Sequence, residues 1–186
     1  MEVVTWAGDA ERDKVAGVNP MRQVPALVLP SGEVMTESAA ILVWLGDQHP
    51  EAGLAPAPGD PGRAQYLRWM SYIPAAIYSL FWVRDEPSRL VTDPAQQEVV
   101  KQRIAQRIAE CWRLMDAQVA PRPYLTGERL GLLDVYVAAV SRWTPRRRRF
   151  YGEAPRMAEA VRSVDVEPRL QQFWSERFPF EPGWEG

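Results

Sequence analysis

"QVPALVLPSGEVMTESAAIL", residues 23–42, is the stretch on which the fold turns. "PALVLP" is a compact apolar run suited to a buried strand, "SG" makes a turn, and "EVMT" returns as the second arm of a hairpin. Ser38 then caps a helix, "SAAILVWLGDQH", which has Ile41, Leu42 and Leu45 on one face and Pro50 as its stop. The hairpin therefore delivers an acid and a hydroxyl, Glu37 and Ser38, side by side to the first turn of a helix. Taken singly, Ser38 reads as an N-cap and Pro25 as a strand-starting proline. The spacing of the whole set asks for more than that.

Outward from this stretch the two directions differ. Upstream, "EVVTW" (residues 2–6) reads as a short strand, and "GDAERDKVAGVNP" holds one irregular helix ending at Asn19-Pro20. Downstream, "PEAGLAPAPGDPG" is rich in Pro and Gly without periodicity, which marks a linker and a domain boundary. Everything after it reads as helical. "RAQYLRWMSYIPAAIYSLFWVR" is long and aromatic, with Pro74 expected to bend it. "DPAQQEVVKQRIAQRIAECWRLMDAQV" opens at an Asp-Pro cap and repeats apolar side chains at Val100, Ile104, Ile108, Cys111, Trp112 and Met115. "LLDVYVAAVSRW" is apolar nearly all round and should be the central buried helix, with two more helices in "PRMAEAVRSVD" and "EPRLQQFWSERF". The expected architecture is a small α/β unit over residues 1–52 followed by an all-α unit over residues 60–186.

Composition narrows the function classes. The chain has 186 residues, enough to bury a core, with 46% hydrophobic and 25% charged side chains. A formal net charge of −2 argues against general nucleic-acid or anionic-membrane binding. The strongest charge run, "RRRR" at 146–149, reads as a solvated loop, and a nucleic-acid role for it would require steeply salt-dependent affinity. One cysteine, Cys111, permits no internal disulfide and no thiolate zinc site, and at a core-facing helical position it reads as a small buried hydrophobe. With His49 the single histidine, a His-ligated metal or a Ser-His-Asp triad is not expected, so no metal is. His49 itself reads as a solvated residue at a helix C-terminus. No apolar stretch nears a membrane span and no signal peptide opens the chain, so the cytoplasm is the expected compartment. Basic charge carried by arginine, beside abundant alanine and proline, points to a bacterial gene.

The order of elements, joined to "NPMRQVPALVLPSGEVMTESAAILVWLGDQHP", resembles the glutathione transferase superfamily, with a second match at "YLTGERLGLLDVYVAAVSRW". The resemblance implies a thioredoxin-like N-terminal domain, incomplete as written, then the family's all-helical C-terminal domain. It implies a cis Val24-Pro25 bond that turns the Val24 backbone N–H and C=O outward to pair with an extended peptide, the cysteinyl unit of glutathione. It implies that Ser38 meets the γ-glutamyl carboxylate in the positive end of the helix dipole while Glu37 meets the neighbouring ammonium. Arg22, just before Gln23, is placed to contact the glycyl carboxylate. The implied glutathione set is thus Arg22, Gln23, Val24, Pro25, Glu37 and Ser38, with glutathione as cosubstrate. Tyr72, Ile73, Ile77 and Phe81 are implied at an electrophile pocket or the subunit interface. In "GLLD" the family's Ser/Thr-x-x-Asp capping box keeps Asp134 and has Gly131 at the cap, at an expected cost of a few tenths of a kcal/mol relative to Ser.

The family's catalytic Tyr, Ser or Cys ends a first strand that "EVVTW", matching the second, would follow. That residue is therefore expected upstream of Met1, and none is assigned here. The implied function is glutathione conjugation to, or glutathione-dependent reduction of, a small electrophile by a homodimer. Its alternative is a non-catalytic binding or dimerisation module that lacks the catalytic strand. A dimer is expected for the complete product, and a weaker, aggregation-prone one for residues 1–186.

Overall fold

The computed structural model describes residues 9–143 and 145–186; the strand expected in "EVVTW" lies outside them. Helix α1 (Asp9–Ala16) leads to a hairpin of β1 (Ala26–Val28) and β2 (Val34–Thr36), antiparallel with Ala26 opposite Thr36 and Val28 opposite Val34. Three residues form its loop. Gly32, at φ 85°, donates its N–H to Leu29 O (2.8 Å), and Leu29 donates to Glu33 O (2.8 Å), so Pro30 joins the expected Ser-Gly turn. "PALVLP" is not the buried strand that its composition predicts: Val28 and Val34 are exposed, and Ala26 and Leu27 are only half-buried. Among the described residues the sheet has two strands, and α2 packs against β2.

Helix α2 (Ser38–Gln48) follows at once and buries Ala39 and Ile41. Glu37, not Ser38, is its N-cap residue, and Ser38 is the first helical position, a one-residue correction. After a short 3₁₀ turn and the Pro/Gly stretch come α3 (Arg63–Tyr72), a π-helical segment (Ile73–Tyr78) and α4 (Ser79–Asp85). The bend expected at Pro74 is this π segment: proline has no N–H for the α ladder, and the backbone adopts the wider pattern through Tyr78.

Helix α5 (Pro94–Asp116) starts as expected, with Asp93 accepting from Ala95 N–H (2.9 Å), and buries Ile108, Cys111, Trp112 and Met115. The central helix α6 (Leu132–Val140) is buried nearly all round, followed by α7 (Arg146–Glu153), α8 (Pro155–Asp165) and α9 (Gln171–Arg177). The arginine run is helix α7, not a solvated loop. Arg147 is fully buried and donates both terminal nitrogens to Asp165, at 2.6 and 2.9 Å. The core lies between α3, the π segment, α5, α6, α7 and α8, with Trp112 edge-on to Phe150 at 5.1 Å.

Candidate functional site

The loop entering the hairpin is shaped by one buried side chain. Asn19 accepts from Met21 N–H (3.0 Å) and donates to Gln23 O (2.8 Å), an Asx-type arrangement that turns the chain toward Val24. The Val24–Pro25 bond is cis, as the resemblance implies. Val24 is half-buried, and no backbone hydrogen bond to it forms among the described residues. Among the described residues its peptide groups are thus without a backbone partner, as an added extended segment would require.

At the exit of the hairpin, beside its entry because Ala26 pairs with Thr36, Glu37 holds φ 68° and ψ 106°, outside the ordinary regions for a residue with a side chain. This turns the chain sharply into α2 while the Glu37 carbonyl already accepts from Ile41 N–H (2.9 Å). The carboxylate of Glu37 stays exposed, and Ser38 stands half-buried at the head of an eleven-residue helix whose first N–H groups lack backbone acceptors. Such a helix end attracts an anion.

The helical half meets this point directly. Tyr136, buried in α6, places its hydroxyl 2.9 Å from Ser38 Oγ. Tyr78 from the π segment stacks on Trp143 at 4.8 Å between ring centroids, and Phe81 meets the same indole edge-on at 5.2 Å. Burial pushes the phenols of Tyr78 and Tyr136 up, and the Glu37 carboxylate adds to both; the Ser38 hydrogen bond pulls Tyr136 partly back. Both phenols are therefore hydrogen-bonding groups, not bases, at neutral pH. Glu37, Ser38, Tyr78, Tyr136 and Trp143 form one neighbourhood, polar at the α2 end and aromatic at the other.

The expected residues are distributed unevenly around it. Arg22, at φ 57°, pairs its guanidinium with Asp13 of α1, and Gln23 is exposed. Of the four pocket candidates, Phe81 alone packs on Trp143. Ile73 and Ile77 have no exposed surface and belong to the closed core, so they line no open pocket in this structure. Tyr72 donates to Cys111 O (3.0 Å), and burial pushes its phenol up to about 12. Tyr78, Tyr136, Trp143 and Asn19 are the neighbours that sequence reasoning did not select. Tyr78 was within the aromatic run of the long helix, where a change from α to π winding moves side chains off any 3.6-residue count.

Cys111 is completely buried, as expected of a small hydrophobe. His49 is exposed at the end of α2, with Nδ1 3.1 Å from Glu51. Among the described residues no group of His, Cys, Asp and Glu is arranged to hold a metal ion, and no helix is long and apolar enough to cross a membrane.

A hairpin feeding an acid and a serine into a helix N-terminus, with a helical half packed against it, is the arrangement that the resemblance to glutathione transferases implies. Residues 1–48 match the family model described as glutathione S-transferase, N-terminal domain. The chain is 31% identical over 163 residues to the uncharacterized GST-like protein YncG of Escherichia coli K12, covering 88% of this chain and 78% of that one. It is 26% identical over 131 residues to the glutathione S-transferase GstA of Escherichia coli O157:H7, covering 70% of this chain and 62% of the relative. Among solved structures, a glutathione transferase homolog from Sulfitobacter with bound glutathione superposes with a TM-score of 0.79 at 23% identity, over 93% of this chain and 83% of that one. A sphingomonad glutathione S-transferase complexed with glutathione gives 0.69 at 26% identity, over 87% and 77%. The protein belongs to the glutathione S-transferase superfamily, with a thioredoxin-like N-terminal part and the family's helical C-terminal part.

Proposed function

We propose that the protein binds glutathione along the Val24 backbone and at the head of α2, and uses its thiol to attack or reduce a small electrophile. The observation that carries this reading is the joint placement of an open Val24 peptide and the Glu37–Ser38 helix head. The cysteinyl unit pairs with Val24 N–H and C=O as an added strand. The γ-glutamyl carboxylate accepts from Ser38 and the free N–H groups of α2, and Glu37 faces the ammonium. Arg22 reaches the glycyl carboxylate by exchanging its Asp13 partner for it. The wall of Tyr78, Trp143 and Phe81 suits an apolar or aromatic electrophile. No side chain among the described residues is assigned to hold the sulfur as a thiolate. The reading also takes residues 1–52 and 60–186 as the two domains, a homodimer as the working unit and the cytoplasm as its compartment.

Isothermal titration with glutathione tests the binding step. Ser38→Ala is expected to weaken affinity about tenfold or more, the effect of removing a hydrogen bond to a charged group. No heat on titration, together with no competition by S-hexylglutathione, would rule the ligand out. Binding without turnover of any electrophile would leave the protein as a non-catalytic glutathione-binding module.

A further inference from the structure

The Ser38–Tyr136 contact joins two residues 98 positions apart, one at the ligand end of the hairpin unit and one in the centre of the helical unit. Its geometry is supported from below. A Cβ at Gly46 would stand 2.8 Å from Ala55 Cβ and 3.1 Å from Leu132 Cδ1, so α2 packs tightly on the linker and on the first side chain of α6. Leu132 N–H in turn donates to Leu54 O (2.7 Å), which ties the linker to the same helix end. One turn further along α6, Tyr136 is 6% exposed. The phenol thus stands opposite Ser38 on a helix whose start is packed against the other end of α2.

We infer that Tyr136 is a positioning residue for γ-glutamyl recognition, holding Ser38 Oγ in the rotamer and donor state that a bound carboxylate requires. A serine hydroxyl carries one proton and two acceptor positions. In the free protein either oxygen of the pair is able to donate. When a carboxylate occupies the head of α2, Ser38 donates its one proton outward, and Tyr136 donates to the Ser38 oxygen. The resulting chain, Tyr136 to Ser38 to carboxylate, strengthens the outer bond because each donor is polarised by the one behind it. The aromatic wall carries the other half of the argument: Tyr136 serves the polar end of the ligand, whereas Tyr78, Trp143 and Phe81 face the reacting end. Loss of the Tyr136 hydroxyl should therefore be felt in binding and not in the chemical step.

This inference rests on the glutathione reading above, and a double-mutant cycle separates the two. Glutathione affinity is measured by titration for wild type, Ser38→Ala, Tyr136→Phe and the double variant, with thermal unfolding as a check on folding. Tyr136→Phe is expected to weaken binding roughly three- to tenfold, to raise KM for glutathione by the same factor, and to leave kcat with a saturating electrophile unchanged. In the Ser38→Ala background the Tyr136 change should have no further effect. Equal, additive losses in both backgrounds, or no loss from Tyr136→Phe, would overturn the positioning role while leaving glutathione binding intact. No binding by the wild-type protein would overturn the reading and the inference together. Should Tyr136→Phe unfold, the ultraviolet difference spectrum of wild type with S-hexylglutathione decides instead. A perturbed buried tyrosine that is lost in Ser38→Ala at saturating ligand supports the role, and an unperturbed spectrum refutes it.

Discussion

Four identical side chains in the run Arg146–Arg149 meet three kinds of surroundings. Arg146 and Arg148 are exposed, and Arg149 lies half-buried against Gln106 and Glu153. Arg147 is enclosed, forked onto Asp165, and donates further to Ala138 O (2.7 Å) and Tyr151 Oη (3.0 Å). It ties the end of α6 to α7 and α8. Removing one partner of such a pair leaves the other charged and buried, which costs far more than the pair contributes net. Arg147→Ala should therefore destabilise the protein by about 3–5 kcal/mol in urea unfolding, whereas Arg148→Ala should change it by less than about 0.5 kcal/mol. Equal effects would mean that the buried fork is not a structural tie.

The start of α6 shows the same dependence on surroundings in a helix cap. Asp134 accepts from Leu125 N–H (2.7 Å) and Gly131 N–H (2.9 Å), the surviving half of the capping box, and is wholly buried. The missing half has a reason beyond the cap itself. A Cβ on Gly131 would stand 2.8 Å from Thr126 Oγ1 and 3.1 Å from Leu54 O, a carbonyl already held by Leu132. Serine here, favoured by a few tenths of a kcal/mol on capping preference alone, is expected to destabilise by about 1 kcal/mol or more through crowding, which chemical unfolding of Gly131→Ser would check. Burial pushes the Asp134 carboxyl up to about 6, from about 3.9 in an unfolded chain. The folded state thus binds the proton more readily between those values. Its stabilising effect is complete below about pH 4 and is lost as pH rises through about 6. Asp134→Ala should cost about 2–4 kcal/mol at neutral pH, from two N–H groups left without acceptors. That deficit should widen by up to about 2–3 kcal/mol on going down to pH 4. A deficit that is constant with pH would show that Asp134 does not titrate in this window.

Across the chain as a unit, the C-terminal segment is drawn back over the helical half. Arg142 donates to Phe178 O (2.7 Å) and Pro179 O (3.1 Å), and its guanidinium lies 4.5 Å from the Phe180 ring centroid and 5.2 Å from that of Trp184. Folding buries much of the apolar surplus on the two long helical stretches. Ile73, Ile77, Cys111, Trp112 and Met115 are internal, while Leu67, Trp82, Val99 and Leu114 stay exposed. Trp82 is itself covered on one face by Arg89, at 4.7 Å. The exposed set is the surface we expect a second copy to cover. Light scattering on size-exclusion eluates should report a homodimer of the full-length protein at micromolar concentration, and a clean monomer of it would sink that expectation.

Several features were readable from one dimension because their causes are local. The hairpin and the Glu37–Ser38 delivery follow from turn residues at fixed spacing, the start of α5 from an Asp-Pro cap, and the burial of α6 from a run with no polar face. Other features depend on what lies across the fold. Val28 and Val34 stay exposed although their run is apolar, and Arg147 is distinguished from its neighbours by Asp165, eighteen positions away. Tyr136 gains its partner from a residue 98 positions off. Periodicity and capping act over a few residues, so they report which face of an element is apolar. Which polar atom that face will meet is set by packing between elements, at distances along the chain that no local pattern spans.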